Sequence, residues 1–194
     1  LEGAETLKSL NADIMVTCAY GQLLSQEIID ICKFGIINVH ASLLPRYRGA
    51  APIQYAVING ESKTGVTFMK TAAGLDTGDI IAEYEIPIGT DETAGELAAR
   101  LSALGAEHIC DILTAIENGS ATFTPQNEQL AFTVKTIKKE QAETDFSLPA
   151  VKVKQFILGM NPSPVAYAFC NGKKIKIYRA KALNEEFAGK CGEV

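Results

Sequence analysis

The sequence predicts an α/β protein with a mostly parallel sheet, followed by the beginning of a small β domain. Three observations carry that expectation. Short apolar runs rich in β-formers alternate with amphipathic helical segments from residue 12 to residue 118, the order from which layered α/β folds are built. Several runs lack in–out alternation, as strands covered on both faces do. From about Pro125 the texture turns polar, and a hairpin pattern follows around Asn171-Gly172.

Taken in order, ETLKSLN (5–11) has the look of a helix end, and ADIMVTCA (12–19) reads as a strand buried on both faces. Ser25 followed by QEIIDICK predicts a short helix that turns Ile28, Ile29 and Cys32 inward until Gly35 breaks it. GIINV (35–39) is a second buried strand, and APIQYAVIN (51–59) is a helix closed by Gly60. TGVTFMKT (64–71) and DIIAEYEIPI (79–88) are strands joined by the glycine-bracketed turn GLDTGD (74–79). The clearest helix is 94–118, with Thr93 and Glu96 as a capping box and Gly119 as its stop, each polar side chain bonding an otherwise orphan backbone N–H. Leu97, Leu101, Leu104, His108, Ile112 and Ile116 form its apolar stripe, with His108 a core-edge residue of no chemical role. KTIKKEQAETD (135–145) is a linker holding a weak strand, and a helix at 149–159 leads to Asn161-Pro-Ser-Pro164. AYAFC (166–170) and KKIKIYRAKAL (173–183) then pair through the Asn-Gly turn, with an apolar and a basic face on the second strand.

Composition narrows the function classes. The 194 residues are 47% hydrophobic and carry a net charge of −5. No apolar run approaches the roughly 18–20 residues of a membrane-spanning helix, and no signal peptide is visible. Residues 1–130 hold 7 Lys and Arg against 17 Asp and Glu, whereas residues 131–194 hold 11 against 6. The acidic body and basic end fit a polyanion that meets the end first, or equally lysines that solvate surface strands. Five cysteines without a close pair, and only two histidines, speak against a zinc site. Cys18 and Cys110 read as buried reduced thiols, which points to the cytoplasm. GxGxxG and Walker-type loops are absent, which argues against a nucleotide cofactor.

The chemistry-bearing residues gather at two places. Asn38 and His40 stand two apart at a strand end, so their side chains leave one face, at the edge where open α/β sheets bind ligands. An amide donor beside an imidazole suits an oxygen that becomes negative, although a lone histidine at a strand end is more often structural. In GLDTGD, Asp76 or Asp79 offers a carboxylate, and Asp76 is the better placed to face a cleft because Asp79 begins the next strand. An aspartate in such a turn also commonly bonds its own backbone. Arg46 and Arg48 either grip an anion or sit in a solvated loop.

NVHASLLPRYRGAAPIQ followed by TGVTFMKTAAGLDTGDI, with TDFS and NPSP later, resembles the formyltransferases that use 10-formyltetrahydrofolate, and most of all the branch acting on methionyl-tRNA. The resemblance covers nearly the whole chain. It implies Asn38, His40 and Asp76 as catalytic residues, and Ser42, Leu43, Leu44 and Pro45 as a folate-binding loop. Ala19, Tyr20, Gly21, Gln22, Leu23 and Leu24 would wall the pterin. It further implies a Rossmann-like sheet, 10-formyltetrahydrofolate as co-substrate, initiator methionyl-tRNA as partner, and no metal, membrane or DNA. On this reading Asn38 and protonated His40 donate to the developing oxyanion. Asp76 favours the imidazolium and takes the amine's proton, directly or through water.

The same resemblance divides the chain into a catalytic domain (1–125), a linker (126–147) and the beginning of an OB-like tRNA-binding domain (148–194). It implies truncation at both ends: without the family's first strands, ADIMVTCA becomes an apolar sheet edge. Two alternatives stay open: a relative acting on an amino sugar or water, and an inactive folate-binding fragment.

Overall fold

A computed structural model describes residues 2–183 and 189–192; Leu1, 184–188 and 193–194, which the expected first helix and second domain include, lie outside the described residues. The body is a four-stranded sheet ordered β1 (Met15–Cys18), β2 (Ile36–His40), β4 (Lys63–Lys70), β5 (Ile80–Pro87). Helix α1 (Glu2–Ser9) precedes β1, and α2 (Gln26–Ile29) lies between β1 and β2. A two-residue strand β3 (Arg48–Gly49) and helix α3 (Pro52–Asn59) separate β2 from β4.

The α/β class holds, and the sheet among the described residues is mixed. β1 and β2 run parallel, whereas β4 is antiparallel to both β2 and β5. The β4–β5 connection spans only residues 71–79, too short for the crossover of a dozen or more residues that a parallel pair needs. β1 is shorter than expected and is not buried on both faces: Val16 is 43% exposed and Cys18 is exposed. It lies at the sheet edge with β2 as its one strand partner among the described residues. Cys110, on the outward side of α4 (Ala94–Glu117), is exposed as well, while Cys32 is the buried thiol.

Helix α4 covers one face of the sheet. Ile37 of β2 and Val66 and Phe68 of β4 meet Leu97, Leu101, Ile112 and Ile116 there, each such side chain contributing about 1.5–3 kcal/mol on burial. Val39 reaches the helix beside Gly105. His108 stacks flat on Tyr84, with ring centroids 3.6 Å apart. The capping box forms: Thr93 Oγ1 accepts from Glu96 N–H at 3.2 Å, and Glu96 accepts from Thr93 N–H at 2.9 Å.

On the opposite face, irregular chain lies over β4. The 42–47 turn lies over β4, where Thr67 Oγ1 donates to Ser42 O (2.6 Å) and accepts from Leu44 N–H (3.1 Å). The Tyr47 hydroxyl and Arg46 both donate to Glu61, at 2.5 and 2.8 Å. These two donors, the Tyr47 hydroxyl first, hold the Glu61 carboxyl below the usual carboxylate range against the opposing effect of burial.

Past α4, strand β6 (Thr133–Val134) returns to pair in parallel with β3. Helix α5 (Ala150–Gly159) rests on α3, with Gly159 against Ile58. A hairpin of β7 (Ala166–Cys170) and β8 (Lys173–Ile177) follows, turning at Asn171 and Gly172, both left-handed. Ala142, Ile157, Met160, Ala166 and Tyr167 form a second small core. Ile177 joins that core, whereas Ile175 on the same strand is 49% exposed. Arg179 ties this part to α4 through Glu96 and the Asp91 carbonyl.

Two measurements check these contacts. Thr93→Ala removes one half of the capping box and costs about 1 kcal/mol, read as a thermal midpoint roughly 2–4 °C lower for a chain of this size. For Glu61 the folded pKa lies below the unfolded one. Its contribution is therefore complete above the unfolded value and is lost as pH falls through the folded one. Urea unfolding is expected to separate wild type from Glu61→Gln at pH 7 and to bring them closer at pH 3.

Candidate active site on the open face of the sheet

The side-chain alternation of β2 places Ile37 and Val39 toward α4 and Asn38 and His40 toward the other face. The β4–β5 connection starts beside the beginning of β2, where Thr71 N–H donates to Ile36 O at 2.7 Å. It then folds back over that face and brings Asp76, not Asp79, to both residues. Asn38 Nδ2 lies 3.4 Å from Asp76 Oδ1, and His40 Nδ1 lies 3.6 Å from Asp76 Oδ2.

Each group is oriented by a second partner. The Thr17 hydroxyl, on the neighbouring strand, donates to Asn38 Oδ1 at 3.1 Å and so turns the amide N–H groups toward Asp76. His40 is 6% exposed, and its Nε2 lies 2.9 Å from the Tyr47 carbonyl. A carbonyl only accepts, so Nε2 carries hydrogen whichever state the ring is in. The proton that can come and go is therefore on Nδ1, on the Asp76 side. At 3.6 Å that nitrogen is beyond direct hydrogen-bond reach of the carboxylate, which leaves it able to serve another acceptor.

Asp76 sits in the left-handed region at φ 49°, sparsely populated for a residue with a side chain and common at functional sites. Its Oδ2 accepts the Gly49 N–H at 2.7 Å. Gly49 has φ 107°, and a Cβ there would run into the Val134 carbonyl across the β3–β6 pair. This backbone can approach the carboxylate because it has no side chain.

The residues expected to bind a folate fall into two groups. Ser42 is fully buried, with its hydroxyl donating to Arg46 O at 2.7 Å, and Leu44 is 4% exposed. Leu43, Leu44 and Pro45 line a cavity of about 820 Å³ with Tyr47, Glu83 and Phe132, and Asn38, His40 and Asp76 lie outside its wall. Ala19 to Leu24, by contrast, leave the carboxyl end of β1, whose Thr17 pairs with Asn38. Tyr20 and Leu23 there are 57% and 69% exposed, and Ala19 and Gly21 have positive φ. The structure thus places 19–24 beside the site as an open apolar edge, and 42–45 as a turn with Ser42 and Leu44 buried and Leu43 and Pro45 half-buried.

Both arginines of the loop already have carboxylate partners. Arg46 is tied to Glu61, and Arg48, 5% exposed, is clamped by Gln126 and Glu128. Sequence reasoning missed Thr17, Tyr47, Gly49 and Gln126, whose contributions come through single hydrogen bonds across 7 to 50 positions. Among the described residues, no three His, Cys, Asp or Glu side chains gather as metal ligands would.

Residues 2–113 match the family described as formyl transferase, and residues 136–194 match the formyl transferase C-terminal domain. The chain is 48% identical over 180 residues to the methionyl-tRNA formyltransferase of Agathobacter rectalis, covering 93% of this chain and 58% of that protein. It is 44% identical over 193 residues to the enzyme of that name from Geobacter sulfurreducens, covering 100% and 60%. The chain therefore spans about three-fifths of the length of these relatives. Among solved structures, HypX from Aquifex aeolicus in complex with tetrahydrofolic acid superposes with a TM-score of 0.81 at 21% identity, covering 98% of this chain and 33% of that one. The N-formyltransferase of Helicobacter canadensis superposes at 0.73 and 23%, covering 87% and 61%. These distant likenesses show a shared fold. By its matched segments, the chain belongs to the formyl transferase family.

Proposed function

We propose that the chain carries the transfer of a formyl group from 10-formyltetrahydrofolate to the α-amine of initiator methionyl-tRNA, for translation initiation in the cytoplasm. The observation that carries this reading is the convergence of an amide, an imidazole and a carboxylate on one sheet face, at 3.4 and 3.6 Å. The acceptor is supported by relatives at 44–48% identity that bear that name. Exposed Tyr20 and Leu23 fit the apolar face of a pterin, and exposed Lys173, Lys174 and Lys176 fit RNA phosphates. Five cysteines without a disulfide agree with a reducing compartment. The second small core around Ala166 and Tyr167 supports the start of a second, OB-like part.

The chemistry follows from the donors. The amine must lose a proton and bond to the formyl carbon, whose oxygen gains negative charge. Asn38 Nδ2–H and, in the imidazolium, His40 Nδ1–H would donate to that oxygen and stabilise the charge more in the transition state than before it. Asp76 takes the amine's proton, directly or through one water. The bond from the formyl carbon to the folate nitrogen then breaks, and that nitrogen takes up a proton as it leaves.

Formylation of methionyl-tRNA by the chain, followed as acid-stable formylmethionine, tests the proposal. Asn38→Ala is expected to lower kcat by about 10²–10³, and His40→Ala to abolish measurable turnover. Asp76→Asn is expected to cost roughly 10²–10⁴ in kcat. Equal rates for wild type and His40→Ala would refute the site. Turnover with an amino sugar, and none with methionyl-tRNA, would reassign the acceptor.

A further inference from the structure

Residues 122–130, after the long helix, are exposed except for Gln126, which is half-buried. Its Oε1 accepts from Arg48 Nε at 3.0 Å and from a terminal Arg48 nitrogen at 2.7 Å. Arginine only donates, so this contact fixes which end of the amide is oxygen. The NH₂ end must then face the other way, and there it meets two carbonyls: Asp76 O at 2.9 Å and Gly78 O at 2.8 Å. Arg48 is itself held by Glu128 at 2.7 and 2.9 Å, so its buried charge is paired.

We infer that Gln126 is a positioning residue of the reaction site. It bridges the two carbonyls of the left-handed Asp76 turn and keeps the carboxylate aimed at Gly49, Asn38 and His40. Without that donor the Asp76 and Gly78 carbonyls lose the amide group they share, and the turn relaxes away from φ 49°. The segment after α4 is on this view part of the active site rather than a tether between two units. The inference rests on the reading of Asp76 as the group that takes the amine's proton.

Strand β3 supplies a test that needs no turnover. Its amides alternate: Arg48 N–H and Ala50 N–H donate to the returning segment, at Phe132 O and Val134 O, while Gly49 N–H donates to Asp76 Oδ2. Gln126→Met keeps the length and removes the donor; Gln126→Glu keeps the acceptor for Arg48 and also removes the donor. In native-state hydrogen exchange by NMR, both variants are expected to speed Gly49 exchange about tenfold or more, with Arg48 and Ala50 keeping their protection. In formylation assays both are expected to lower kcat about 10²-fold, with the KM for 10-formyltetrahydrofolate within about twofold of wild type.

If all three amides loosen together, or none does, in the glutamate variant, Gln126 is only a structural pin and the inference is overturned. A Gln126→Glu protein with wild-type kcat overturns it too. A wild-type chain that formylates nothing would sink the proposed function instead, and the Gly49 exchange would still decide whether Gln126 positions Asp76.

Discussion

The two-residue alternation of one five-residue strand governs this molecule. In β2, Ile37 and Val39 must meet α4 because a fully buried apolar core lies there. Asn38 and His40 are thereby committed to the other face. A slip of one residue would put an amide and an imidazole into the helix interface, where neither has a partner. The hydrophobic face thus sets the register, and the polar face inherits its geometry from it.

On the polar face irregular backbone lies over β4, and its polar groups need partners. The structure meets that need with side chains that also orient the site. Thr67 satisfies the 42–47 turn, the Tyr47 carbonyl fixes the ring of His40, and Gly49 N–H holds Asp76. Buried Arg48 is the hub on the outer side, acting through Gln126 and Glu128. Packing and site geometry are therefore not separable here: the contacts that satisfy the covering loops are the same contacts that orient Asn38, His40 and Asp76.

Much of this was legible in the chain. The capping box of α4, its apolar stripe, the turn at Asn171-Gly172 and the same-face pair Asn38 and His40 are local, and short-range rules reach them. The mixed sheet was legible in principle, since a nine-residue connection leaves room only for an antiparallel return. Exposure of Cys18 and Cys110 was not, because an apolar neighbourhood in sequence does not say which face a residue takes. The loop arginines stayed undecided for the same reason: their carboxylate partners lie 15 and 80 positions away.

By itself, the sequence determined most of the helices and strands and the chemical groups at the site, because periodicity and caps act over a few residues, while the family came from the likeness of its motifs. Only the tertiary structure decided which nitrogen of His40 carries the exchangeable proton and which aspartate meets it. It also decided that 42–45 is a turn with Ser42 and Leu44 buried while 19–24 is open, and that a glutamine beyond the long helix returns to hold Asp76. Those outcomes depend on hydrogen bonds between segments far apart in the chain. A hydrogen bond needs its two atoms within about 3 Å of each other, a condition that folding alone creates.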